Sequence, residues 1–211
     1  MSRSRRHQLL TAALTVMAVC ATAGSASAAS LASAADSCST QVYTQPFLRY
    51  GDPLTYVLVP SGAVEGALSG WTTSGGAAAV AGNESAYVHA TSDRSSLQLP
   101  AGSTVTTRPI CVGLGHPTLR IFARNTGSPL SLLKVEAIFD APLAGSRVIV
   151  PLGLLAGDST WQPTLPMLID GNLVAPTMPG GFGAVAFRLT PVGAAGQWRV
   201  DDLYVDPRRT N

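Results

Sequence analysis

The chain has 211 residues, 46% of them hydrophobic, with 14 Lys or Arg against 12 Asp or Glu. Three of the bases, Arg3, Arg5 and Arg6, stand in an acid-free N-terminal stretch, so the remainder carries eleven bases against twelve acids and is close to neutral. With Lys134 its single lysine, that remainder lacks the basic stripe of a nucleic-acid-binding protein and the polybasic face of a membrane-surface protein.

The N-terminus has the layout of a secretory signal. "SRSRRHQ" is basic, "LLTAALTVMAVCATA" is apolar but too short for a membrane span, and "ASA" at 26–28 offers small residues for cleavage. Residues 1–28 are therefore expected to be a signal peptide, with cleavage after Ala28 or, at the second "ASA", after Ala34. Gln8 after the Arg5–Arg6 pair breaks the twin-arginine pattern and favours the general secretion route. Cys20 is an ordinary residue of the apolar region. The expected product is secreted, with no integral membrane segment after cleavage.

Residues 29–37, rich in Ala and Ser, are expected to be a flexible leader, followed by one domain over 38–209. About 180 residues suffice for one domain with a sizeable core. Two cysteines remain, Cys38 and Cys111, and in an oxidising compartment an even pair is expected to be a disulfide. A loop of that length closed by a disulfide gains about 4 kcal/mol on the chain-entropy model.

Along the domain, apolar residues recur at period two. "LTYVLV" (54–59), "TLRIFAR" (118–124), "SLLKVEAIF" (131–139), "RVIVPL" (147–152), "GAVAFRLT" (183–190) and "QWRVDDLYV" (197–205) read as strands, and "AAAVAG" (77–82), "SLQLP" (96–100) and "TVTTR" (104–108) as shorter ones. Only "PLGLLAG" (151–157) suggests a helical turn. Gly, Pro, Ser, Asn and Asp separate the runs, as turns require. Many short strands at near-regular spacing predict an all-β fold, an antiparallel β-sandwich of jelly-roll type.

The unusual feature is "WRVDDLYVD", with two carboxylates inside a strand. Strict alternation gives Asp201 the face of Arg199, Leu203 and Val205, and Asp202 the face of Trp198, Val200 and Tyr204. One carboxylate then points to an apolar side, where it needs an ion, an arginine or several backbone N–H donors. Other chemistry has no motif: Gly-x-Ser-x-Gly, His-Glu-x-x-His, a phosphate-binding glycine loop and Cys-x-x-Cys are all missing. Beyond the signal region, His89 reads as a strand or loop residue and His116, before Pro117, as a turn residue. No enzyme is indicated. A hydrolase would need two placed carboxylates from a set that includes Glu65, Glu84 and Glu136.

Trp71 and Trp198 lie in strand-like motifs and are expected in the core. Trp161, Tyr43, Tyr50 and Tyr87 sit in or beside turn-rich segments, where exposed rings would stack on sugars. Arg120, Arg124, Lys134, Glu136 and Arg188 would form one polar sheet face if their strands were neighbours.

Two end motifs carry a resemblance. "VPSGAVEGALSGWTTSGGAAAV" (59–80) resembles the opening of galactose-binding-like jelly rolls, especially carbohydrate-binding modules of families 4, 9 and 22, and "WRVDDLYVD" resembles their closing strand. Val64 stands where these families usually have Phe, and Ser61 where they often have Asn. The resemblance implies the same fold, a polysaccharide or cell-envelope glycan as partner, and a structural calcium ion held by Glu65 and Asp201, with Asp202 as the alternate. A carboxylate merely fixed by hydrogen bonds or an arginine is the competing reading of the acidic pair. For the domain as a whole, the competing readings are a secreted structural or protein-interaction domain and, behind it, a hydrolase.

Overall fold

The computed structural model describes residues 30–35, 40–113, 118–141, 146–169 and 182–206. The expected signal peptide, Cys38 and His116 lie outside them. In chain order, a helical turn α1 (Leu31–Ala34) precedes β1 (Tyr43–Thr44), β2 (Tyr56–Leu58), β3 (Thr72–Ser74), β4 (Ala78–Ala81), β5 (Ser95–Leu99), β6 (Thr104–Thr106) and β7 (Ile110–Gly113). There follow β8 (Thr118–Asn125), β9 (Leu132–Asp140), β10 (Arg147–Leu155), β11 (Gln162–Pro163), β12 (Met167–Leu168), β13 (Phe182–Val192) and β14 (Trp198–Asp206).

The strands make two antiparallel sheets, as the alternation predicts for a jelly-roll β-sandwich. One runs β10, β9, β13, β6, β3, with β7 also on β13. The other runs β1, β2, β14, β5, β4, with β8 on the free side of β14 and β11 and β12 beyond β8. Their inner faces meet in one core that includes Leu97, Leu99, Leu119, Ile121, Phe139, Phe187, Leu189 and Trp198. Both expected anchors are there: Trp198 donates Nε1–H to Ser131 Oγ at 3.1 Å and Trp71 to the Pro60 carbonyl at 2.8 Å. A buried indole thus keeps its one donor satisfied.

Two local expectations change. "PLGLLAG" does not turn: β10 continues to Leu155, and a register shift between Pro151 and Gly153 absorbs the irregularity. β10 is an edge strand, where a proline removes no needed ladder bond. Within the expected leader, residues 30–35 form a docked turn. Ser30 Oγ accepts from Ser33 N, Leu31 N donates to Asp140 Oδ2 at 2.7 Å, and the Leu31 side chain packs with Ile138, Ala184 and Ala186 on the outside of the six-stranded sheet.

The strands carrying the five charged residues are not all neighbours, so they form two polar faces and not one. Lys134, Glu136 and Arg188 belong to the six-stranded sheet, where Arg188 Nε donates to Glu136 Oε2 at 2.8 Å and holds that carboxyl below its ordinary range. Arg120 and Arg124 lie on β8 of the other sheet. Arg120 stands over the Phe47 ring and pairs with Asp52.

Strand β14 is central to the eight-stranded sheet. On one side it pairs with β5 through Trp198–Val200 and then with β2 through Tyr204 and Val205. On the other it pairs with β8 throughout, but Asp201 opposes Phe122 while Tyr204 opposes Arg120. Three steps on β14 thus match two on β8, which is a β-bulge. Asp202 takes the left-handed conformation, with φ +48°, which Asp tolerates better than most side chains.

The bulge overturns the strict alternation. Trp198, Val200, Leu203 and Val205 all enter the main core, whereas Tyr204 joins Phe47, Tyr56 and Phe122 in a second cluster on the outer face. Both aspartates therefore leave the main core on that outer side. The backbone gap is closed by the opening turn, where Val59 N donates to the Leu203 carbonyl at 2.9 Å and Leu203 N to the Gly62 carbonyl at 3.1 Å. Gly62 has no room for a side chain, since a Cβ would lie 2.7 Å from Val59 O and 2.9 Å from Leu203 O. Gly62→Ala is expected to destabilise the domain by about 1–3 kcal/mol through forced backbone displacement; urea unfolding checks it, with Gly153→Ala, whose Cβ would meet only Met167 Sδ at 3.9 Å, as the comparison with room for a methyl.

Candidate functional site

Above the bulge lies the loop joining β4 to β5, and its backbone N–H groups are answered by carboxylates. Asp201 Oδ2 accepts from Glu84 N at 2.9 Å, and Asp201 Oδ1 from Asp202 N at 3.0 Å. Glu84 accepts from Ala86 N and from Val88 N, the latter at 2.7 Å. Asp93 Oδ2 accepts from Ala90 N at 3.1 Å and contacts His89 Nδ1 at 2.8 Å. Glu65, exposed at the loop's end, accepts from Arg94 N at 2.8 Å and Ser95 N at 2.7 Å through Oε1. A carboxylate receiving two amide N–H bonds keeps much of what it loses in leaving water.

Asp202 has no such compensation. It is 1% exposed, and neither carboxyl oxygen has a hydrogen-bond partner among the described residues. Glu84, Asp93 and Asp201 beside it are also buried. Neither Asp201 nor Asp202 forms an ion pair with Lys or Arg among the described residues. The nearby guanidinium of Arg199 donates instead to Ser96 Oγ and the carbonyls of Ala81 and Gly82.

The electrostatic result is a strong bias towards protonation. Burial raises the Asp201 carboxyl to about 8, against the effect of its two amide donors. Burial, then the charges of Asp201, Glu84 and Asp93, raise Asp202 to about 9. A divalent cation would remove the penalty from both.

The residues implied as calcium ligands therefore separate. Asp202 has free oxygens, while Asp201 and Glu65 each serve two amides. What the fold brings to Asp202 is a pair that the sequence reading left out: ligand atoms of His89, Asp93 and Asp202 lie within 4.8 Å of one another. The donor set fits a cation at Asp202, with His89 and Asp93, and not Glu65, in the cluster. The His89-x-x-x-Asp93 spacing was visible, but its meeting with β14 depends on tertiary structure.

The aromatic candidates divide as well. Tyr50 ends a 3₁₀ turn (Leu48–Tyr50), with its ring centroid 5.7 Å from that of Phe122. Trp161 packs on the Phe47, Tyr56, Phe122 and Tyr204 cluster, with the Arg124 guanidinium 5.0 Å from its ring centroid. Tyr87 lines a shallow cleft with Gln45, Leu48 and Arg49, and Arg49 Nη1 donates to the Ala86 carbonyl at 2.7 Å. These three belong to the outer face of the eight-stranded sheet. Tyr43 does not, because it pairs with Val57, whose side chain enters the main core.

No protein-family model and no curated protein matches the chain. Among solved structures it is similar to the CBM22-1 xylan-binding domain from Paenibacillus barcinonensis Xyn10C, at 14% identity and TM-score 0.46, over 70% of this chain and 91% of that one. It is also similar to TmCBM61, solved with β-1,4-galactotriose, at 14% identity and TM-score 0.40, over 71% and 97%. A third is the enzymatically active domain of bacteriophage CBA120 tailspike protein 4, at 16% identity and TM-score 0.44, over 70% and 21%. At these values the likeness assigns no family, ligand or metal to this chain.

The acidic pair sets a pH dependence. Both carboxyls bind a proton more tightly in the folded chain than in the unfolded one, so ion-free stability falls as the pH rises from about 4 to about 9. Asp202→Asn is expected to flatten that fall and to leave the ion-free protein more stable at the alkaline end. Thermal unfolding in chelator across this range measures both effects.

Proposed function

We propose that the chain is a secreted, noncatalytic β-sandwich module that binds a polysaccharide or cell-envelope glycan on the outer face of its eight-stranded sheet. A structural divalent cation at the acidic pair, calcium by the family resemblance, is part of this proposal. The observation that carries it is the placement of Tyr50 and Trp161 on one aromatic cluster, with Tyr87 in the adjoining cleft between Ala86 and Val88, which pack on that cluster, and Gln45 and Arg49 offering polar groups beside it. Ring faces flanked by a few polar groups suit a sugar chain, which presents C–H faces and hydroxyls together. Apart from Asp202, the carboxylates around this face are engaged by backbone amides, which favours binding over hydrolysis.

Secretion rests on the signal-like N-terminus and on the cysteine pair. Gln41 Nε2 donates to the Cys111 carbonyl at 2.8 Å, which brings the chain three residues beyond Cys38 to β7. Three residues span about 10 Å at most, so a Cys38–Cys111 disulfide is within reach. A second reading, a secreted protein-interaction domain, is favoured by the apolar residues Val42, Leu48 and Leu54, all more than half exposed in the segment that carries Tyr50.

Binding to a panel of insoluble polysaccharides and isolated cell-wall material separates the two. Tyr50→Ala, Tyr87→Ala and Trp161→Ala are each expected to weaken retention by about tenfold, the equivalent of about 1.4 kcal/mol, and Tyr43→Ala to leave it unchanged. Retention of the unsubstituted protein on none of these materials, or equal retention of all four variants, would overturn the glycan reading.

A further inference from the structure

We infer that His89, Asp93 and Asp202 form a binding site for a divalent first-row transition ion of the zinc class. The inference rests on the proposal that a cation sits at Asp202, and it names the ion's class and ligands.

Three observations support it. The first is the isolation of Asp202: every other carboxylate around the loop receives backbone N–H donors, while this one, 1% exposed, receives none. The bulge that turns it out of the main core aims one of its oxygens towards His89 and Asp93. The second is spacing. Zinc bonds of about 2.0–2.2 Å place the ligand atoms around one ion roughly 3–4 Å apart, and these three groups already lie within 4.8 Å of each other. Small side-chain adjustments complete the approach.

The third is donor chemistry. Calcium takes six to eight oxygen ligands, whereas an imidazole nitrogen beside two carboxylates suits the borderline ions from iron to zinc. His89 Nδ1 already faces Asp93 Oδ2 at 2.8 Å, the contact through which a proton holds the pair together when no metal does. His89 is at the exposed rim and Asp202 at the buried floor, so the ligands also lead inward from solvent. An ion there would fasten the loop to β14 within two residues of Tyr87. It would thereby fix the ring proposed to meet the glycan.

The test uses the oxidised chain, purified without a histidine tag and stripped with chelator, titrated separately with Zn²⁺, Co²⁺ and Ca²⁺. Expected are one Zn²⁺ bound per chain, a rise in melting temperature, and visible Co²⁺ absorption bands, with both the rise and the bands lost in His89→Gln and Asp202→Asn. Asp202→Asn keeps the side chain's shape, removes only its ability to ionise, and is expected to fold, so its failure to bind is interpretable. If Ca²⁺ alone stabilises the chain, and does so equally in His89→Gln, the transition-metal assignment is overturned while a cation at Asp202 stands. If no ion changes the melting temperature, both fail.

Discussion

The bulge in β14 is the constraint on which the rest of the domain depends. A strand at the middle of a sheet pairs on both sides, and here its partners change partway along, from β5 to β2. The extra residue falls where one partner leaves and the other enters. The opening turn fills the gap, so the first and last parts of the domain meet at Gly62 and Leu203. Inward packing resumes in phase beyond the bulge, because Leu203 and Val205 return to the core that Trp198 and Val200 began. Without the extra residue, either Asp202 or the residues beyond it would face the wrong side.

From this irregularity the outer face acquires its character. A loop has many backbone donors and no strand partner to receive them, and buried donors left unanswered are costly. Here Glu65, Glu84, Asp93 and Asp201 receive them, so the loop is held by acids and not by a ladder. The solution is locally economical and globally unbalanced, since it concentrates negative charge with Arg199 turned towards other acceptors. Asp202 is where the imbalance becomes visible. The same loop presents Tyr87 to solvent, so the electrostatics of the floor and the shape of the face are not independent.

Much of the fold was legible because inner and outer residues alternate along long strands. β8, β9, β13 and β14 follow the apolar pattern within a few residues. β7 escaped because "ICVG" is buried on both faces and shows no alternation. β11 and β12 are two-residue pairings that exist only because β8 runs beside them. The acidic pair was conspicuous, but its direction was not: a bulge is a mismatch between two strands and cannot be read from one. Glu65 and Asp202 could be singled out from motif position, whereas His89 and Asp93 lie over a hundred residues from β14 and become neighbours only through the fold. Tyr43 failed as a companion of Tyr50 for a simpler reason, since the face of a strand residue is set by its register.

The docked turn α1 gives the two candidate cleavage points unequal consequences. Processing after Ala28 would leave Leu31 seated on Ile138, Ala184 and Ala186, with its amide held by Asp140. Processing after Ala34 would remove that plug and open an apolar hollow on the outside of the six-stranded sheet, with the Asp140 carboxylate at its rim. A difference of six residues at the N-terminus would thus decide whether the mature protein shows its surroundings a closed face or a sticky one.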